Sequence, residues 1–235
     1  MKIVGQCVVG AGEADRYLEL TLKEFARLCD DAVIVTCNAT EKEIKLIKSY
    51  GFWTYEDNRE WGKYQPEIKT SLLQRITRLR PDFILVLDSD ETVPTISRKV
   101  LEEFSNRNSI QLYVVNLWND EQHYSRSLSF WNVRGYNPNA SPDTQFLRKP
   151  VHCGNAPPFF YNQPAKESYV PHILLHRGLM LPADRIRKVQ RYETYDPHAQ
   201  HKGRQYYDAL SFTGTASEYH EEEVIEKLKE QIAKL

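Results

Sequence analysis

Apolar residues in the first ninety positions alternate between short unbroken runs and helical spacing. Ile3 to Val9 is an apolar run that predicts a strand. Ala14 to Cys29 carries Tyr17, Leu18, Leu22, Phe25 and Leu28 three to four positions apart, which predicts a helix. Ala32 to Cys37 is β-branched and predicts a second strand. Glu41 to Tyr50, with Ile44 and Ile47 on one face and Gly51 as its stop, predicts a short helix. Phe52 to Tyr55 predicts a third strand. Gln65 to Arg80 places Ile68, Leu72, Leu73, Ile76 and Leu79 on one face, and Pro81 ends it. Phe83 to Leu87 is continuously apolar, the pattern of a strand covered on both faces, as in a parallel sheet. This order is a βαβαβ half of an open α/β sheet.

Beyond a predicted helix at Thr95 to Phe104 the pattern changes. Ile110 to Trp118, Leu128 to Arg134 and Thr144 to Arg148 predict strands, and residues 135 to 170 are rich in Pro, Asn and aromatics. Tyr169 to Leu175 predicts a late strand, Pro182 to Tyr195 a cation-rich helix, and Glu218 to Leu235 an amphipathic helix. No repeat or low-complexity linker divides the chain. One domain is expected over residues 1–235: a ligand-binding half at 1–94, an acceptor-side half at 95–180 and a helical segment at 181–235.

A formal net charge of -1 argues against a general nucleic-acid binder. Cys7, Cys29, Cys37 and Cys153 form no CxxC pair, so a zinc knuckle is not expected. The first three read as reduced packing residues. No apolar stretch reaches the roughly 18 residues of a membrane span. The start Met1-Lys2-Ile3-Val4 carries no secretory pattern, so a cytoplasmic protein with at most peripheral membrane contact is expected.

The strongest chemical signal is Asp88-Ser89-Asp90-Glu91, directly after the buried strand. In open α/β sheets ligands bind beyond the carboxyl ends of the strands. Clustered carboxylates repel one another, and a hard cation such as Mg²⁺ or Mn²⁺ relieves that cost. The bland reading is an acidic turn. A second signal, His172-Ile173-Leu174-Leu175-His176-Arg177-Gly178, ends the late strand in a histidine, whose imidazole with carboxylates suits Mn²⁺. His172 reads as a packing residue. In a third, Asp184-Arg185-Ile186-Arg187-Lys188-Val189-Gln190-Arg191-Tyr192, Lys188 and Arg191 share a helix face. They suit an anion, or are a solvated basic face. Gly10-Ala11-Gly12-Glu13-Ala14-Asp15 begins like a dinucleotide fingerprint, but Asp15 stands where its third glycine belongs.

With these residues the chain resembles glycosyltransferase family 2 and its GT-A relatives. The resemblance implies an α/β fold of GT-A type, a Rossmann-like open mixed sheet flanked by helices. It implies a metal-dependent transfer from a nucleoside-diphosphate sugar, UDP-sugar favoured, to an acceptor hydroxyl on a glycan, lipid-linked glycan, protein or modified base. It gives Asp88, Asp90 and His176 as the metal ligands. Glu13, Asn38, Asp88, Lys188 and Arg191 would hold the nucleotide-sugar, with Asn38 in Thr36-Cys37-Asn38 standing where relatives carry Asp. Val151-His152-Cys153 falls where inverting relatives have His-Glu. Cys153 cannot replace that carboxylate, so Asp143, His152 or Asp120 is expected as the base, unless the reaction is retaining. A catalytically silent sugar-nucleotide binder or scaffold is the rival reading. A nucleotidyltransferase fits less well, since Gly10-Ala11-Gly12-Glu13 lacks a basic residue.

Overall fold

The computed structural model describes residues 1–149, 153–162, 166–200, 204–211 and 216–235. The first half follows the apolar pattern: β1 (Ile3–Gly10), α1 (Leu18–Leu28), β2 (Asp31–Cys37), α2 (Glu41–Ser49), β3 (Trp53–Glu56), α3 (Trp61–Thr77) and β4 (Phe83–Val86). Then come β5 (Glu91–Thr92), α4 (Arg98–Phe104), β6 (Ser109–Trp118), β7 (Asp120–Tyr124), β8 (Phe130–Tyr136), α5 (Phe159–Asn162) and β9 (Tyr169–His176). The chain closes with α6 (Pro182–Tyr195), α7 (Arg204–Ser211), β10 (Ser217–Glu218) and α8 (Glu221–Ala233). Local chemistry sets several ends. Thr40 and Glu43 form a reciprocal capping box at α2, and Ser97 caps α4 by accepting from Val100 N.

The strands form an open mixed sheet in the order β10-β7-β6-β8-β4-β1-β2-β3, with β9 on β6 and β5 on β9. β1 runs parallel to β2 and β4, and β2 to β3. β8 runs antiparallel to both β4 and β6, while β9 runs parallel to β6. The carboxyl ends of β1, β2, β4, β6 and β9 therefore meet along one edge. That edge is where an open α/β sheet binds ligands.

Both faces of the central strands are covered, which explains their unbroken apolar runs. Ile3, Cys7, Ile34, Phe83 and Leu85 pack with Leu22 and Phe25 of α1, Ile47 of α2 and Leu101 of α4. Val4, Val33, Val35, Ile84 and Val86 pack with Ile68, Leu72, Leu73 and Ile76 of α3. Each such side chain, fully buried, contributes about 1.5–3 kcal/mol by leaving water. The cysteines are free thiols, with Cys7, Cys37 and Cys153 buried and Cys29 half-buried.

Three expectations need correcting, and one strand, β7, has no sequence signal. Thr144 to Arg148 is not a strand. Only Phe146 enters the core, and Asp143 and Ser141 side chains accept backbone N–H bonds that turn the chain locally. Leu128 belongs to a 3-10 turn, and the strand runs instead over Phe130–Tyr136. The first helix begins at Leu18, after a separate turn at Glu13–Asp15. β7 has no apolar alternation, because its first four residues face outward or are only half-buried.

Gly135 of β8 faces Phe83 of β4 so closely that a Cβ would lie 2.5 Å from the Phe83 ring. Gly135→Ala is expected to lower stability by about 1–3 kcal/mol through overpacking, read from the urea midpoint. An unchanged midpoint would show that the β4–β8 seam has slack.

Candidate active site

A cavity of about 730 Å³ opens at this edge of the sheet. That is within the usual size for a ligand site. Asp88, Ser89 and Asp90 reach it on a tight turn after β4, closed by the bond from Glu91 N to Asp88 O (3.1 Å). Thr21 of α1 locks the turn, donating to Glu91 O (2.9 Å) and accepting from Glu91 N (3.3 Å). Glu91 then pairs with His176 in the β5–β9 ladder, and Arg177 N donates to Asp90 O (3.0 Å). Backbone pairing is thus what brings a histidine from the far half of the chain to the acidic turn. His176 Nε2 lies 3.5 Å from Asp90 Oδ2. Asp90, Glu91 and His176 each offer a ligand atom within 4.8 Å of the others.

The hydrogen bonds around His176 define which nitrogen is the acceptor. Asn116, at the end of β6, donates its Nδ2 to Leu128 O (2.6 Å), which leaves its Oδ1 as an acceptor. His176 Nδ1 donates to that oxygen, so Nε2 carries the lone pair that faces Asp90. Burial, then Lys188, pushes the imidazole below the usual histidine range, with Asp90 opposing; the ring is neutral near neutrality. Gly178 closes the cradle. A Cβ there would lie 2.0 Å from Asp90 Oδ2 and 2.8 Å from His176 Nε2. Asp90 Oδ1 is buried with no hydrogen-bond partner. A neutral imidazole nitrogen, an orphaned carboxylate oxygen and the adjoining Asp88 are a donor set that fits Mn²⁺ or Mg²⁺.

Cations buried from other elements hold the carboxylates together. Arg134 of β8 reaches Glu91 Oε1 (2.5 Å) and Asp88 Oδ2 (3.4 Å). Burial would raise the Asp88 carboxyl, but Arg134 and then Lys69 hold it below its ordinary value. Burial acts on Asp90 in the same sense and is overcome by His176, once acid protonates its ring, and by Lys188 and Arg16. Glu91 goes the other way: burial raises its carboxyl well above the usual range, Arg134 opposes, and Asp88 and Asp90 add to the rise. Both Glu91 oxygens are already engaged, one by Arg134 and one by Asp88 N (2.8 Å). Asp88 and Asp90 are therefore the carboxylates freer to hold a cation.

Glu13, Lys188 and Arg191 also line the cavity. Burial and Asp90 raise the Glu13 carboxyl, while Arg16 opposes at 3.3 Å. Asn38 does not line it. It is exposed in a left-handed turn with φ 53, and Cys37 beside it forms the wall. Asp120 and Asp143 stand outside as well. Asp120 is exposed and paired with His123 at 2.8 Å, and Asp143 is exposed and accepts from Gln145 N. His152 lies outside the described residues. His172 is a packing residue, against Thr95 and the Phe104 ring. The sequence reading missed Arg134, Asn116, Lys69 and Arg16. Arg134 had a signal, a cation amid the apolar residues of a strand, which cannot be buried without an acidic partner.

The chain has a GT-A-like α/β fold. No family model matches the sequence, and no curated protein does. Its structure is similar to that of TarS from S. aureus, with a TM-score of 0.52 and 12% identity, over 89% of this chain and 42% of that one. This chain thus spans less than half the length of TarS. A structure of TarS residues 1–349 in complex with UDP-GlcNAc aligns with a TM-score of 0.43 and 11% identity, over 90% of this chain and 70% of that one. Mannosyl-3-phosphoglycerate synthase from Rubrobacter xylanophilus aligns with a TM-score of 0.34 and 15% identity, over 54% of this chain and 43% of that one. Among the described residues, no helix is long and apolar enough to cross a membrane.

Arg134→Met removes the cation shared by Glu91 and Asp88 and is expected to cost about 3–5 kcal/mol of stability. Without Arg134 the folded-state Glu91 carboxyl rises further above its unfolded value. An acid raised in the folded state loses stability as pH climbs through that interval, so the variant should be weaker at about pH 8 than at about pH 5. Urea unfolding at both values reads this, and a penalty independent of pH would show that Arg134 acts only by packing.

Proposed function

We propose that the protein transfers a sugar from a nucleoside-diphosphate sugar, UDP-sugar favoured, to an acceptor hydroxyl, using Mn²⁺ or Mg²⁺ held by Asp88, Asp90 and His176. The observation that carries this is the meeting of the His176 Nε2 lone pair with the orphaned Asp90 carboxylate in one cavity. Such a cation, when bound, neutralises charge on the diphosphate leaving group. Lys188 and Arg191 add positive charge from α6 on the same wall, where a departing diphosphate gains from it. The UDP preference follows the fold likeness to TarS, the protein solved with UDP-GlcNAc.

In this reading residues 1–94 form the donor half, residues 95–180 the acceptor half and residues 181–235 the helical cover. The acceptor-side wall offers Trp131, Tyr161 and Asn132, with aromatic faces and polar edges suited to a hydroxyl-rich acceptor. His152 is the base kept for the acceptor proton. Its neighbour Cys153 lines the cavity, whereas Asp120 and Asp143 do not. The same exclusion of two carboxylates favours a second reading, a sugar-nucleotide binder without turnover. A panel of UDP-sugars with Mn²⁺ separates them, because a transferase slowly hydrolyses its own donor with water in place of the acceptor.

Calorimetric titration of UDP with Mn²⁺ and with chelator is expected to show tighter binding with the cation. Asp90→Asn should abolish transfer with little loss of stability, and His176→Ala should weaken the Mn²⁺–UDP complex by about ten- to a hundredfold. UDP affinity that ignores both chelator and these substitutions would refute the metal assignment.

A further inference from the structure

The cavity already contains a cation at the ligand nitrogen. Lys188 of α6 places its Nζ 3.4 Å from His176 Nε2, the same atom that faces Asp90. The His176 ring has one lone pair to give, because Nδ1 is committed to Asn116 and the Asn116 amide is itself held by Leu128 O. A lone pair serves one partner, an ammonium proton or a metal ion. The Lys188 charge is also among those that hold the Asp90 carboxylate ionised. A divalent cation entering beside Asp90 therefore meets a like charge and finds its nitrogen ligand occupied.

We propose that Lys188 is a resident counter-ion that competes with the divalent cation for His176 and Asp90, so that the cation is taken up together with the diphosphate rather than alone. This rests on the metal assignment above. When a diphosphate arrives, its oxygens offer the ammonium another partner, and the move frees His176 Nε2. Lys188 lies on the half-buried side of a helix whose next turn brings Arg191 to the same cavity, so a phosphate group has a second cation close by. A lysine serves this role because its single ammonium sits on a flexible stem and changes partner without moving the helix.

The test is a titration of Mn²⁺, read as free Mn²⁺ by electron paramagnetic resonance, on wild type, Lys188→Ala and Lys188→Gln, each with and without UDP. Without nucleotide, both variants are expected to bind Mn²⁺ about tenfold or more tightly than wild type, since a nearby like charge has gone. With UDP, wild type should tighten strongly and the variants little, so the cooperation between UDP and Mn²⁺ shrinks. Far-ultraviolet circular dichroism establishes that each variant is folded, and two substitutions guard against the loss of one. Equal or weaker nucleotide-free Mn²⁺ binding by the variants, with UDP still strengthening Mn²⁺ binding in wild type, overturns the competition and leaves the metal site standing. No Mn²⁺ binding in any arm overturns both.

Discussion

Asp88, Asp90 and Glu91 can occupy one tight turn beside the buried edge of the sheet only because cations reach them from other elements. Ionised carboxylates this close repel one another, and leaving water adds a further penalty. Arg134 arrives from β8 and meets Glu91 and Asp88, while Lys188 and Arg16 act on Asp90 from α6 and from the loop after β1. The rest of the architecture serves this arrangement. β8 must run antiparallel beside β4 to deliver Arg134, and β9 must pair with β5 to deliver His176. The compensation is incomplete, since Asp90 Oδ1, Glu13 Oε2 and Asp184 Oδ2 stay buried without hydrogen-bond partners. Unpaired acceptors of this kind mark a site that gains from a cation or a donor-rich ligand.

How far the sequence disclosed this depends on the range of the forces involved. Phe83 to Leu87 and Ile3 to Val9 announce covered strands, because burial on both faces leaves an unbroken apolar run. The acidic turn after β4 follows directly, and so does a histidine ending a late strand two positions before Gly178. The need for Gly178 is visible only in three dimensions, where any Cβ would strike Asp90. Asn116 reads as an ordinary polar residue near the end of a strand. Its role comes from the register that sets it opposite His176, and no local pattern encodes register between strands so far apart.

The errors have the same origin. Thr144 to Arg148 has strand-like composition, but its backbone finds no ladder, and a single core contact by Phe146 fixes it instead. β7 is stabilised by its hairpin with β6, not by its own polar sequence. Asp120 and Asp143 were plausible bases by residue type alone; their placement depends on turns that keep their carboxylates busy with His123 and Gln145. Asn38 stands directly after β2 in sequence, yet the left-handed turn there carries it away from the cavity and leaves Cys37, its thiol pushed up to about 12 by burial, as the wall.

The proposed metal site stands on one location, the gap between Asp90 and His176. Anomalous diffraction at the manganese edge from crystals grown with UDP and Mn²⁺ tests it directly. The account requires a manganese peak in contact with an Asp90 oxygen and His176 Nε2, with the diphosphate bound to the same ion. A peak elsewhere, or UDP ordered in the cavity with no ion between those two side chains, would contradict it.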